Sequence, residues 1–176
     1  NQNGGGFWAT DAIGNGFVVP SSTYNNDTIH VKRSAQTSRN HKNTTTTNGN
    51  YITSWIDHGS TPFNGSYQYA VLLQGGQTNT AVFATNFSSF FEVLKQNDSA
   101  HVVKFVPDSI FNYVVFDSST VFTDDVFESV NRPCVVMTQQ IGNGDTLKMS
   151  LTNPDLGLLN AGEYYLIEGK IGRAHV

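Results

Sequence analysis

Short apolar runs alternate along this chain with stretches of Asn, Gly, Ser and Thr, and no run is long. FWAT at 7–10 and FVV at 17–19 flank Gly14-Asn15-Gly16, residues tolerant of positive φ, and so predict a hairpin. DTIHVKRSAQTS over 27–38 alternates as a strand does, whereas RNHKNTTTTNGN over 39–50 has no packing residues and predicts a long exposed loop. NYITSWIDHG over 50–59 and SYQYAVLLQ over 66–74 are the strongest strand patterns. In the first, Tyr51, Thr53 and Trp55 share one face and Ile52, Ser54 and Ile56 the other; in the second, Tyr67, Tyr69, Val71 and Leu73 share a face. TNTAVFATNF over 78–87 is the one segment predicted to be helical, short and weakly amphipathic.

A second group of strands follows a seam near Asn86–Phe91. SFFEVLKQ and AHVVKFVPD form a hairpin about the turn NDS; SIFNYVVFD, RPCVVMTQQ, GDTLKMSLTNP and EYYLIEGK add strands, with a turn at Gly142-Asn143-Gly144. The fold class is therefore all-β, an antiparallel β-sandwich with one short helix.

Composition narrows the function. No apolar run approaches the roughly 20 residues that span a bilayer, and the polar opening NQNGGG is not the pattern of a leader, so no membrane partner is expected. Cys134 is the only cysteine, which excludes an internal disulfide; its place in PCVVMTQQ predicts a buried, inert thiol. Asn26, Asn43, Asn64, Asn86 and Asn97 stand in Asn-x-Ser/Thr sequons, although chance matches are expected in so Asn- and Thr-rich a chain. A net charge of −4 argues against a nucleic-acid partner. The charge is unevenly spread, however: Lys32, Arg33, Arg39 and Lys42, with His30 and His41, fall in a stretch from Thr28 to Ile56 that holds no Asp or Glu. Such a lobe can focus an anionic ligand, or it can be a solvated loop.

Candidate chemistry is sparse. The GNG at 14–16 lacks the further glycine or Lys-Ser/Thr of a phosphate loop. The histidines have no metal-ligand spacing, and Asp124-Asp125 lacks the alternating oxygen ligands of a calcium loop, so no metal or other cofactor is expected. Trp8, Trp55, Tyr67 and Tyr69 are either core residues or platforms for sugar rings. Asp57 and His58 suggest a catalytic pair, but neighbours on a strand point to opposite faces, and a structural anchor at the strand end is expected instead.

The segment HVKRSAQTSRNHKN…GNYITSWIDHGSTPFNGSYQYAVLL resembles the β-rich C-terminal part of polysaccharide lyase family eight, within it the chondroitin sulfate ABC lyases. The family's Trp-(Ile/Leu)-Asp-His strand end, Pro-containing loop and Tyr-x-Tyr strand match Trp55, Ile56, Asp57, His58, Pro62, Tyr67 and Tyr69. The likeness continues through DAIGNGFVVP, FEVLKQNDSAHVVKF and NRPCVVMTQQIGNGDTLKMSLTNPDL, and weakly through EYYLIEGK.

The resemblance implies residues 1–88 as the end of a super-sandwich domain and 89–170 as a smaller, truncated C-terminal β-sandwich. It implies cleavage of glycosaminoglycans by β-elimination, in which a base takes the uronic acid C5 proton and the glycosidic oxygen leaves protonated. The family's Tyr, His and Arg lie on an upstream helical domain of the same chain, and its Glu early in the β-domain. None has a counterpart here, so no catalytic residue is carried over. A secreted or periplasmic location, a sulfated or acidic glycosaminoglycan partner, and contacts from Lys32, Arg33, Arg39 and Lys42 are the corresponding expectations. The tail at 171–176 fits nothing in the family pattern and reads as a translated short-read sequencing adapter, with the native chain interrupted near Gly169 or Lys170. The competing reading is a stand-alone carbohydrate-binding or adhesin-type β-sandwich with no enzymatic parent.

Overall fold

The computed structural model describes residues 6–21, 28–63, 65–123, 127–142, 144, 146–154 and 164–169. Over them the chain is mostly β-strand in several antiparallel sheets, the architecture that the short apolar runs require. It divides into two compact units between Phe87 and Ser88.

In the first unit, β1 (Phe7–Thr10) and β2 (Gly16–Val19) form the expected hairpin, in register from Phe7↔Val19 to Thr10↔Gly16. Asp11 builds its turn: Oδ1 accepts the Ile13 and Asn15 N–H groups at 3.0 and 2.8 Å, and Oδ2 accepts Asn15 Nδ2 at 2.8 Å. Gly14 supplies the positive φ, +89°. β5 (Ala70–Leu72) pairs with the other edge of β2, giving the order β1-β2-β5. The helix α1 (Gly76–Thr85) packs on β1 and β2, with Thr80 fully buried over Gly16. A single-turn helix, α2 (Phe87–Phe90), follows, so two helices stand where one was expected.

The same unit contains a two-stranded ribbon of β3 (Thr28–Arg39) and β4 (Thr46–Asp57), paired along its whole length from Thr28↔Asp57 to Arg39↔Thr46. This corrects the expected loop over 39–50. Only 40–45 form the turn, where Asn40 Oδ1 accepts the Thr44 N–H at 2.9 Å. Residues Thr46–Asn50 need no apolar packing to be a strand, because the ladder to β3 satisfies their backbone and Thr37 Oγ1 donates to Asn48 Oδ1 at 2.8 Å. The expected strand over 66–74 shrinks to Ala70–Leu72 for a complementary reason: its partner β2 is four residues long and pairs only with those three.

The second unit is a sandwich. β6 (Phe91–Gln96), β7 (Ala100–Phe105), β8 (Ile110–Val115), β10 (Cys134–Ile141) and β11 (Thr146–Thr152) form a sheet in the order β11-β10-β8-β7-β6. β9 (Phe127–Val130), which the sequence pattern did not predict, pairs with β12 (Ile167–Gly169). Alternate residues Ala100, Val102, Tyr113, Val115, Cys134 and Val136 of the large sheet are buried against Phe122, Phe127, Val130 and Ile167. Tyr113 centres the core, with ring centroids 4.7 Å from Phe127 and 5.1 Å from Phe122.

Candidate functional site

The ribbon is where chemistry-bearing side chains gather. Its register sets even-numbered residues of β3 against odd-numbered residues of β4. One face therefore carries His30, Lys32, Ser34 and Gln36 opposite Trp55, Thr53, Tyr51 and Gly49; the other carries Ile29, Val31 and Arg33 opposite Ile56, Ser54 and Ile52. The alternation of IHVKR and YITSWI thus sorts into a polar, aromatic face and an aliphatic one.

On the polar face the His30 ring stacks on Trp55, centroids 5.0 Å apart and planes 14° from parallel. Its Nε2 lies 3.4 Å from Asp57 Oδ2. Tyr51 lies over Gly49, since a Cβ at that glycine would stand 3.0 Å from the tyrosine ring. Gln36 Nε2 donates to Thr53 Oγ1 at 2.8 Å. The sequence pattern places His30 among the basic residues of 28–56 and does not join it to Trp55 and Asp57, because only the register brings 30, 55 and 57 together.

The four cations share the ribbon but do not converge. Lys32 and Arg33 are neighbours on β3 and so face opposite ways. Arg39 Nη1 donates to the Asn43 carbonyl at 3.1 Å, across the turn, and Lys42 sits within that turn. Even so, the ribbon holds four cations and one carboxylate, Asp57, on a chain whose net charge is −4.

Asp57 is the strand-end anchor: Oδ1 accepts the Gly59 N–H at 2.8 Å while Oδ2 faces His30. The His58 ring lies instead 6.4 Å from that of Tyr67, and Tyr67 lies 6.3 Å from Tyr69, nearly parallel. These rings border an apolar groove of ≈ 870 Å³ within the first unit, whose walls include Phe17, Ile52 and Ile56. Trp55, Tyr67 and Tyr69 are 45%, 55% and 64% exposed, so none of the three is buried here.

Cys134 is buried, and desolvation pushes its thiol pKa up, away from the reactive thiolate. Among the described residues no group of three or more His, Cys, Asp or Glu is placed to hold a metal ion, and no helix is long and apolar enough to cross a membrane. Of the sequon asparagines, Asn86 Nδ2 donates to the Val82 carbonyl at the end of α1, Asn97 Oδ1 accepts from the Ser99 and Ala100 N–H groups, and Asn43 sits in the ribbon turn. Asn26, Asn64, Asp124-Asp125 and the tail 171–176 lie outside the described residues.

No family model matches the chain. Over 156 residues it is 29% identical to the chondroitin sulfate ABC endolyase of Proteus vulgaris, covering 87% of this chain and 15% of that protein. It is 28% identical to the chondroitin sulfate ABC exolyase of Bacteroides thetaiotaomicron over 90% of this chain and 15% of that protein. The Proteus vulgaris exolyase is 31% identical over 77% of this chain and 13% of its own length. The chain thus spans 13–15% of the length of these curated relatives.

Among solved structures, a Paenibacillus xanthan lyase aligns with TM-score 0.58 at 21% identity, over 78% of this chain and 13% of that one. The Streptomyces coelicolor A3 chondroitin AC lyase, solved in complex with chondroitin sulphate, aligns with TM-score 0.59 at 19% identity, over 86% of this chain and 20% of that one. At such identities the likeness is one of fold. Along most of its length, therefore, this chain is homologous to a small part of the chondroitin sulfate ABC lyases, and it shares its β-architecture with other polysaccharide lyases.

Proposed function

We propose that this chain is a non-catalytic, C-terminal β-portion of a secreted or periplasmic polysaccharide lyase that cleaves chondroitin or dermatan sulfate and hyaluronan by β-elimination. The observation that carries the reading is the similarity over 77–90% of this chain to proteins of which it spans 13–15%. β-Elimination requires a base held at the uronic acid C5 proton and neutralisation of the adjacent carboxylate. The basic stretch here can attract and hold an acidic polysaccharide. The proton-transferring Tyr, His and Arg belong to an upstream helical domain of the same polypeptide, which this β-portion buttresses.

The test uses the ultraviolet absorbance of the unsaturated uronate product. The purified 176-residue chain should produce none from chondroitin sulfate, and a longer polypeptide from the same gene, carrying the upstream domain, should produce it. Turnover by the 176-residue chain would end the non-catalytic assignment. An inactive longer polypeptide, folded and with no upstream helical domain, would instead favour the second reading, a carbohydrate-binding β-module. The half-exposed rings of Trp55, Tyr67 and Tyr69 support that alternative.

A further inference from the structure

Large aromatic rings stand half-exposed on the ribbon's polar face. The opposite face already has the aliphatic set Ile29, Val31, Ile52 and Ile56, three of which border the apolar groove. Trp55 and Tyr51 belong to the other face, among Lys32, Ser34, Gln36 and Thr53; both also border the groove, and each remains 45% exposed. They are four residues apart on one strand, ~13 Å at the usual rise per residue. Thr53, the residue between them on that face, is the cross-strand partner of Lys32. The one carboxylate of the ribbon, Asp57, is already approached by His30 at 3.4 Å and by the Gly59 N–H at 2.8 Å.

An alternation of aromatic ring, ammonium and aromatic ring suits one ligand class. A pyranose has a C–H-bearing face that packs on an aromatic ring, a rim of hydroxyls for Ser, Thr and Gln side chains, and in acidic polysaccharides a carboxylate or sulfate at regular intervals. The Trp55 ring is already held by His30, and Tyr51 lies over Gly49, so little side-chain freedom is lost when sugars settle on them.

We infer that the Lys32 face of the β3–β4 ribbon seats an acidic polysaccharide, with sugar rings against Trp55 and Tyr51 and an acid group at Lys32 between them. The seat spans a short run of linked sugars rather than one ring. Arg33, on the aliphatic face, and Arg39, spent on the turn carbonyl of Asn43, contribute only general attraction. The choice of chondroitin sulfate as probe rests on the lyase reading; the geometry of the seat does not.

The experiment is calorimetric titration of the 176-residue chain with a size-defined chondroitin sulfate oligosaccharide at low and at raised salt. Circular dichroism of each variant confirms the fold. Lys32→Gln and Tyr51→Ala should each weaken binding about three- to tenfold, the scale of one lost charge-assisted or aromatic contact. Arg33→Gln should weaken it about twofold or less, an effect that salt removes. Equal losses for Lys32→Gln and Arg33→Gln would reduce the seat to diffuse electrostatics and overturn it. Absence of binding by the wild-type chain would overturn it too, and active cleavage by the longer polypeptide would then leave the lyase reading standing. Binding with the stated pattern beside an inactive longer polypeptide would keep the seat and remove the lyase.

Discussion

His30 lies flat against Trp55 across the ribbon, centroids 5.0 Å apart, and the same imidazole reaches Asp57 at 3.4 Å. Three residues from two strands thus fasten the open end of a twelve-residue ladder that has little buried core of its own. A two-stranded ribbon of this kind is marginal without cross-strand pairs.

His30→Ala removes the stack and the Asp57 contact together. Both groups of the His30–Asp57 contact are substantially exposed, so the stack carries most of the effect. The expected loss is about 1 kcal/mol of ribbon stability. Denaturant unfolding followed by tryptophan fluorescence checks it, with Trp55 and Trp8 as the two reporters. His30→Phe should keep most of the stability, since it keeps the ring; a variant as weak as alanine would place the contribution in the Asp57 contact instead.

Gly16 is required by Thr80. A Cβ at position 16 would overlap the Thr80 hydroxyl and methyl, and Thr80 is fully buried with Oγ1 donating to the Gly76 carbonyl at 2.6 Å. Gly16→Ala should therefore push α1 off the β1-β2 hairpin and destabilise the first unit by about 1–3 kcal/mol. Thr80→Ala should return part of that loss in the double variant, because it vacates the overlapped space. Thermal unfolding of the two single variants and the double measures the coupling, and strict additivity would refute the contact.

Asp11 makes the β1–β2 turn sensitive to acid. Desolvation at the turn raises its pKa, but the hydrogen bonds from Asn15, Ile13 and Gly14 outweigh it and hold the carboxyl below its ordinary value of 3.8. The sign follows from linkage: a carboxyl more acidic in the folded state contributes stability that is present above its unfolded pKa and lost as pH falls through the folded one. Stability of the hairpin should therefore decline as pH falls below about 4. Asp11→Asn should flatten that decline, as read from amide exchange or unfolding at pH 3 against pH 6. An unchanged acid slope in the variant would assign it to other carboxylates, among them Asp117, whose pKa the Ser119 backbone and side chain hold down at a second turn.

Much of the fold could be read along the chain because its signals are local. The GNG hairpin, the α1 segment, the NDS turn and the alternation that buries Ala100, Val102, Cys134 and Val136 all depend on residues within a few positions of one another. Strand parity led to the expectation of Asp57 as a strand-end anchor; that its Oδ1 accepts the Gly59 N–H came only from the structure. The sequence by itself thereby determined the all-β class, the second strand group, the burial of Cys134 and the gathering of four cations in one acid-free stretch.

Tertiary structure decided what depends on partners distant in sequence. Thr46–Asn50 became strand because β3 offered a ladder, and Ser66–Tyr69 did not because β2 is too short to pair with them. β9 exists because β12 supplies its hydrogen bonds and the core accepts Phe127 and Val130. His30 joins Trp55 and Asp57, and Lys32 parts from Arg33, only once a register is chosen, since a shift of one residue would reverse every face. Composition can concentrate charge in a stretch of chain. Which charges share a surface is settled by pairing, because the side-chain period of a strand is two and the register alone decides what stands opposite.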